Sequence, residues 1–475
     1  MYIYFIAIGG TGMAPLACLL QERGHRIGGV DGPLYPPMSS LLEAAGIEPL
    51  VGWDPSHLEP APDLVIVGNA VHRSNPEAVE VERRGIERIS MPQALGRFFL
   101  ADRRPLVVAG THGKTTTTSM AAWVYSRCGA DPGYLIGGVP RNFDRSFEIG
   151  RGERFIIEGD EYNAAYFDRG PKFLHYRPQT VLLTSVEYDH ADLYPDPETL
   201  RAAYRQLVAL VPEDGLLVAC GDSQEVREVA ALARSRVIFY GLDPANEVSP
   251  RALASGPEGS RFTVADGAVG GVELALRVPG EHNLQNALAV WAAARHDGLG
   301  ASETAAALAA FRGVKRRLEE LGTARGVTVV DDFAHHPTAV GKSLEGLRQK
   351  HPGRRLVALF EPRSLTAGRA FFFDRYRQAF AHADAVLIAP LFHRRRLAPE
   401  ERLDTVALAR RLGEAGVRAE TCASVGEVLD RALEWAAAGD VMVTMSSGAF
   451  EGLPRRLLEA LGGCDGQNRS PSPIV

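Results

Sequence analysis

Gly110, Thr111, His112, Gly113, Lys114, Thr115 and Thr116 follow directly on an apolar run at 106–109. The order is strand, glycine-bearing loop, helix, with the helix starting near Thr116. Such a turn aims backbone N–H groups and the positive end of a helix dipole at an anion, and so cradles phosphate. A lysine at 114 reaches β- and γ-phosphates, and a threonine hydroxyl at 115 suits Mg2+. The loop is a compressed variant: Val108 stands where the general pattern has its first glycine. Two polar clusters end apolar runs downstream. One is Glu158, Gly159, Asp160 and Glu161; the other is Glu187, Tyr188, Asp189 and His190. Carboxylates at strand ends beside a phosphate loop suit metal and transfer chemistry. Mg2+ takes oxygen ligands, which Glu158 and Thr115 offer. By residue type alone, His190 reads equally as a capping or surface histidine. Asn283 and Asn286 are three apart, so a helix puts both amides on one face; capping by Asn283 is the plain alternative.

The elements that position these residues alternate strand and helix. Residues 1–100 begin with a strand at 3–8, then Gly9, Gly10, Thr11 and Gly12, then a helix from Met13. A second strand at 25–30 ends at Asp31. This is a Rossmann-type start, although Ala7 replaces the first glycine of the dinucleotide pattern. NAD and other nucleotide diphosphates both fit it, with Asp31 near a ribose or base. A charged junction at 97–104 separates this domain from the phosphate loop. Residues 249–271, rich in Gly, Ala and Ser, suit hairpins and loops. Strands and helices alternate again from 322 to 460. The fold class is α/β in three domains. A Rossmann-like domain at 1–102 precedes a central P-loop ATPase domain at 103–318 with a mostly parallel sheet. A Rossmann-like domain at 319–462 and a disordered tail at 463–475 follow.

Composition narrows the class. Hydrophobic residues make up 45% and charged residues 23% of 475, which suits a globular protein with several cores. A net charge of −6 gives no basic field for nucleic acid. The run His393, Arg394, Arg395 and Arg396 reads as a solvated loop. The five cysteines form no C-x-x-C pair and read as free thiols of a reducing compartment. No apolar run reaches ~18 residues, and the short apolar N-terminus lacks a basic flank. A cytoplasmic chain that avoids membranes is expected, as a monomer or weak homodimer.

Ala109 to Thr117 (AGTHGKTTT) resembles the ATP loop of the Mur ligases, the ATP-dependent amide-forming enzymes of peptidoglycan assembly. The resemblance runs from residue 1 to about 460 with its motifs in family order. It implies ATP and Mg2+ as cofactors, with Lys114, Glu158 and His190 catalytic and Thr115, Glu158 and His190 on the metal. It implies adenine contacts by Asn283 and Asn286, an ATP contact by Arg317 at the hinge 313–319, and a ribose contact by Asp332. The N-terminal loop (Gly9, Gly10, Thr11, Gly12, Met13), with Asp31, Asn69 and Ala70, is then expected to hold UDP-N-acetylmuramate. Tyr35 to Ser39, Gly68 to Ala70, Asp332 to Ala334 and Glu361 to Ser364 resemble the branch that ligates the tripeptide L-alanyl-γ-D-glutamyl-meso-diaminopimelate during murein recycling. Phe333, His336, Arg363 and Ser364 are its expected peptide contacts. The L-alanine-adding branch is the alternative. Leu365 departs from the asparagine usual in the tripeptide branch.

Overall fold

The computed structural model describes residues 1–264 and 271–462. The tail expectation at 463–475 lies outside the described residues.

Three sheets follow one another along the chain. The first has strand order Leu50–Val51, Arg26–Asp31, Tyr2–Ile6, Leu64–Val67, Arg88–Ser90, all parallel. The second runs Arg236–Tyr240, Leu216–Cys220, Thr180–Leu183, Arg104–Ala109, Arg154–Gly159, Gly133–Leu135, Phe147–Glu148, with only the last strand antiparallel. The third runs Glu319–Ala324, Val327–Asp332, Val441–Met445, Leu356–Phe360, Ala385–Ile388, Arg418–Thr421, with its first strand antiparallel. Pro250–Gly256, Gly259–Val264 and Val272–Leu276 form a separate antiparallel meander, where the composition called for hairpins.

The strand before the phosphate loop, Arg104–Ala109, is buried from Pro105 onward and paired in parallel on both sides. Burial on two faces explains its unbroken apolar run. The following helix, Lys114–Arg127, opens with four threonines, which are poor helix formers. All four are buried, so packing outweighs propensity, and Thr118 Oγ1 donates 2.8 Å back to Lys114 O. The helix begins two residues earlier than its sequence suggests because Gly113, at φ +80°, turns the chain directly into it. Helix Glu281–His296 is buried along most of its length from Asn283 to Ala294 and packs against that helix.

The central and third sheets meet at the segment 313–318. Lys315 N donates to Val139 O at 2.9 Å, and Phe333 N donates to Arg316 O at 2.8 Å, tying the segment to both sides. Arg316 and Leu318 hold φ of +58° and +50°. Such values cost non-glycine residues roughly 1 kcal/mol each and mark a backbone fixed by its surroundings.

Candidate functional site

The phosphate loop is built from glycines that no other residue replaces without strain. Gly110 has φ +132°, and a Cβ there would lie 2.2 Å from Thr184 Oγ1. At Gly113 a Cβ would lie 2.8 Å from Asn286 Oδ1, so the loop rests directly on the asparagine face of helix Glu281–His296. Thr111 is fixed by reciprocal 2.9 Å bonds: its Oγ1 donates to Glu187 O and accepts from Glu187 N. His112 N donates to Ser185 Oγ at 2.9 Å.

Lys114 Nζ donates to Gly110 O at 2.7 Å and to both oxygens of Glu161, at 3.0 and 2.8 Å. Glu161 is 1% exposed and also meets His190 Nε2 at 2.9 Å. Burial alone would raise its pKa, but Lys114 and His190 more than offset that and hold the carboxylate ionised. Burial would lower the His190 pKa; the hydrogen bond that its ring donates to Glu161 and the Asp189 charge reverse it to a net rise. His190 sits at φ +55°, with its N–H on Asp189 Oδ1 at 2.7 Å.

Glu158 takes the other side of the loop. Its Oε2 accepts from Thr115 Oγ1 at 3.1 Å and its Oε1 from Gly137 N at 2.6 Å. Burial raises its pKa because these neutral donors, with Lys114 and Arg317 farther off, compensate it incompletely. A Cβ at Gly137 would lie 3.0 Å from both carboxylate oxygens. A hydroxyl and an under-compensated carboxylate, in a cradle that a side chain would fill, fit a hard dication such as Mg2+. The expected metal set is thus divided: Thr115 and Glu158 meet, whereas His190 is directed at Glu161.

His112, Gly113, Thr116, His282, Asn283, Asn286, Arg317 and Asp332 line one cavity between the central and third domains. Asn283 Nδ2 donates to Pro279 O at 2.7 Å, and Asn286 Nδ2 lies 3.4 Å from Asn283 Oδ1. His282 Nδ1 is buried without a hydrogen-bond partner, and burial pushes its pKa down to about 4. The Arg317 guanidinium stacks 4.6 Å from the Phe333 centroid, and burial lowers its pKa despite Asp332 and Glu158. That desolvated cation suits an anionic ligand. Asp332 braces the backbone: Oδ2 accepts from Leu318 N at 2.8 Å and Oδ1 from Ala334 N at 2.6 Å.

Three family models cover almost all of this architecture. They are the Mur ligase family catalytic domain over 2–103, the Mur ligase middle domain over 108–294 and the Mur ligase glutamate ligase domain over 316–448. The chain is 40% identical over 468 residues to the UDP-N-acetylmuramate–L-alanyl-γ-D-glutamyl-meso-2,6-diaminoheptandioate ligase of Escherichia coli K12, covering 97% of this chain and 98% of that one. This chain belongs to the Mur ligase family. The Mur ligase is also 32% identical to the UDP-N-acetylmuramate–L-alanine ligase of Desulforamulus reducens, over 97% of each chain. Among solved structures, a murein peptide ligase from Psychrobacter arcticus superposes with TM-score 0.74 at 34% identity, covering 98% of this chain and 100% of that one.

At the corner expected to meet the peptide, this Mur ligase holds Arg363 with its guanidinium 3.9 Å from the Phe392 centroid and 3.6 Å from Glu361 Oε2. Gly448 leaves the space that this guanidinium fills, since a Cβ there would lie 2.3 Å from Arg363 Cζ. Thr366, three residues on from Arg363, accepts from Ala191 N at 3.0 Å, so this corner faces the loop after His190. Ser364 Oγ accepts from Ala367 N at 3.0 Å and caps its own turn. His336 is 2% exposed, caps the helix Pro337–Lys350 and lies ring to ring with His112 at 4.7 Å. Phe333 is flanked by Arg316 and Arg317.

In the N-terminal domain, Asp31 Oδ2 accepts from Gly9 N at 2.7 Å, which fixes the glycine turn from behind. The first helical bond is Ala14 N to Gly10 O at 3.0 Å, so the N–H groups of the turn lie ahead of the helical ladder. Ala7, where the pattern wants glycine, is left-handed at φ +68°. Gly68, Asn69 and Ala70 follow the adjacent strand Leu64–Val67.

Sequence reasoning gave no individual role to Glu161, Glu187, His282 or Arg375. Glu161 and Glu187 stand inside clusters already singled out and His282 directly precedes Asn283, so position flagged them, but nothing in residue type reveals that Glu161 rather than Glu158 holds the lysine. Arg375 carries no sequence signal. The ligand atoms of His112, Glu187 and His336 lie within 4.8 Å of one another and could hold a metal ion. Arg375 donates to the same Glu187 carboxylate, which already gives it a counter-charge.

Proposed function

We propose that this Mur ligase joins the lactyl carboxylate of UDP-N-acetylmuramate to the amine of L-alanyl-γ-D-glutamyl-meso-diaminopimelate, using ATP. The observation that carries the amine assignment is the Arg363 niche, in a chain 40% identical over its length to the E. coli ligase for that tripeptide. A tripeptide brings several carboxylates, which arginine pairs bidentately. L-alanine is the second reading, favoured by the 32% identity to an L-alanine ligase over 97% of the chain.

A carboxylate is a poor electrophile, so its oxygen first attacks the γ-phosphorus of ATP, the bond from that phosphorus to the β,γ-bridging oxygen breaks, ADP leaves and an acyl phosphate forms. Lys114, held by Glu161 and Gly110 O, presents its ammonium to the transferring phosphate, and the desolvated Arg317 presents a second cation from the hinge. Thr115 and Glu158 would hold Mg2+, which supplies charge neutralisation at the phosphates. Asn283 and Asn286 orient the nucleotide from the helix under the loop, with His282 offering a neutral ring nitrogen. The amine then attacks the carbonyl carbon, the tetrahedral adduct collapses and phosphate leaves. Closure of the third domain keeps water from that carbon. UDP-N-acetylmuramate is assigned to the Gly9–Gly10–Thr11–Gly12 turn and the neighbouring Asn69 and Ala70.

The test is muramate-dependent phosphate release from Mg-ATP with tripeptide or with L-alanine. Release with tripeptide alone supports the assignment. Release with L-alanine alone moves the chain to the other branch, and release with neither refutes the ligase reading.

A further inference from the structure

Glu187 stands at the end of a central-domain segment, yet its carboxylate serves both domains. Oε2 meets His112 Nε2 of the phosphate loop at 2.6 Å. Oε1 accepts from Thr338 Oγ1 at 2.8 Å and from the Arg375 guanidinium, both in the third domain. Arg375 also donates to Thr338 Oγ1 at 2.8 Å. His336 lies 3.8 Å from Oε2 through Nδ1, behind His112. Two contacts nearby join the same surfaces: Ala191 N donates to Thr366 Oγ1 at 3.0 Å, and Tyr188 packs against Phe371. The backbone of Glu187 is meanwhile clamped to Thr111.

We infer that Glu187 is a closure hub, through which Arg375 and Thr338 of the third domain are latched to His112 of the phosphate loop. The inference rests on the ligase reading above. One carboxylate with one oxygen on the loop and one on the moving domain makes the two positions interdependent. A displaced phosphate loop withdraws His112 and turns the carboxylate away from Arg375. An open third domain leaves the Glu187 charge facing His112 alone. Arg375 and Thr338 are positioning residues: they act on the reaction by holding the domain shut. A transition metal on the same three ligands is disfavoured because the guanidinium already neutralises the carboxylate.

The consequence concerns water. With the latch weakened, the acyl phosphate outlives closure. Water then attacks its carbonyl carbon, the bond from that carbon to the phosphate oxygen breaks, and phosphate leaves with the muramate carboxylate restored. ATP is consumed without an amide product. The experiment compares wild type, Arg375→Met and Arg375→Lys, measuring phosphate released against amide formed. It also follows compaction on adding Mg-ATP and UDP-N-acetylmuramate by small-angle scattering. Loss of a charged hydrogen-bond partner predicts a roughly tenfold weaker latch in Arg375→Met. That appears as several phosphates per amide and a smaller decrease in radius of gyration, with partial recovery in Arg375→Lys. One phosphate per amide and undiminished compaction in Arg375→Met overturn the hub. Should the wild type release no muramate-dependent phosphate, the ligase reading fails, while the compaction comparison still decides the latch.

Discussion

Glu161→Gln isolates what the buried carboxylate does for Lys114. The substitution keeps volume and one acceptor but removes the charge that Lys114 Nζ meets at 3.0 and 2.8 Å and His190 Nε2 at 2.9 Å. Breaking a buried ion pair from one side costs about 3–5 kcal/mol, because the remaining charge is stranded. The retained acceptor returns part of this, so about 3 kcal/mol is expected for the central domain. For a domain of its size that lowers Tm by roughly 6–12 °C. The same residue aims the ammonium, so kcat should fall roughly 100-fold, a loss typical of a misplaced charge-stabilising donor. The effect on ATP binding has the opposite sign. Glu161 is an anion beside the phosphate site, and neutralising it leaves KM for ATP unchanged or lower. The His190 pKa should also drop, since Glu161 helps to raise it. Thermal melts, steady-state phosphate release and NMR titration of His190 read these three effects separately. Wild-type kcat with an unshifted His190 would refute the reasoning, whatever happens to Tm.

Other consequences follow from the same geometry. Gly113→Ala should destabilise the loop by about 1–2 kcal/mol from its left-handed φ, with further loss from the Asn286 contact, read as a lower Tm and weaker nucleotide binding. Glu158→Gln should raise the Mg2+ concentration for half-maximal rate at least roughly tenfold while leaving KM for the amine unchanged. Arg363→Lys should raise KM for the tripeptide roughly tenfold and leave KM for ATP alone, since lysine replaces a bidentate fork with a point charge. His190 has a folded pKa raised above 6.5. Its stabilising contribution is therefore complete below pH 6.5 and is lost as pH rises through the folded value. The Tm decrease between acidic and alkaline buffer should be smaller in His190→Gln than in wild type.

Much of this was legible in the sequence because strand ends in parallel sheets announce themselves. An apolar run followed by glycine, lysine and threonine leaves few alternatives, whereas the cationic run at the hinge alone suits a solvated segment and is singled out by the family resemblance. Three things were not legible. The helix after the phosphate loop starts at Lys114 because of the conformation of Gly113, which threonine propensities obscure. The assignment of partners within an acidic cluster depends on strand register: Glu158 pairs across to Val108, and only three residues later does Glu161 reach the lysine. Contacts such as Arg375 to Glu187, 188 residues apart, arise from how one domain docks on another. Asp31 and Asp332, chosen by position in a pattern, proved to hold backbone N–H groups.

The hinge at 313–318 separates the chemistry into two heritable portions. On the proposed reading, the residues that activate the acid (Lys114, Thr115, Glu158, Glu161) lie before it, and the Arg363–Phe392 corner proposed for the incoming amine lies after it. A lineage can therefore recruit a new nucleophile by rewriting sequence downstream of Leu318 while the activating apparatus is passed on intact. Compatibility is demanded where the two portions touch, among the described residues at the cavity rim, around Glu187 and where Gly280 N donates to Gln349 Oε1 at 3.1 Å. Chimaeras between ligases of different amine preference, joined within this hinge, should retain acid activation and exchange their choice of amine, provided that Thr338 and Arg375 travel with a matching Glu187.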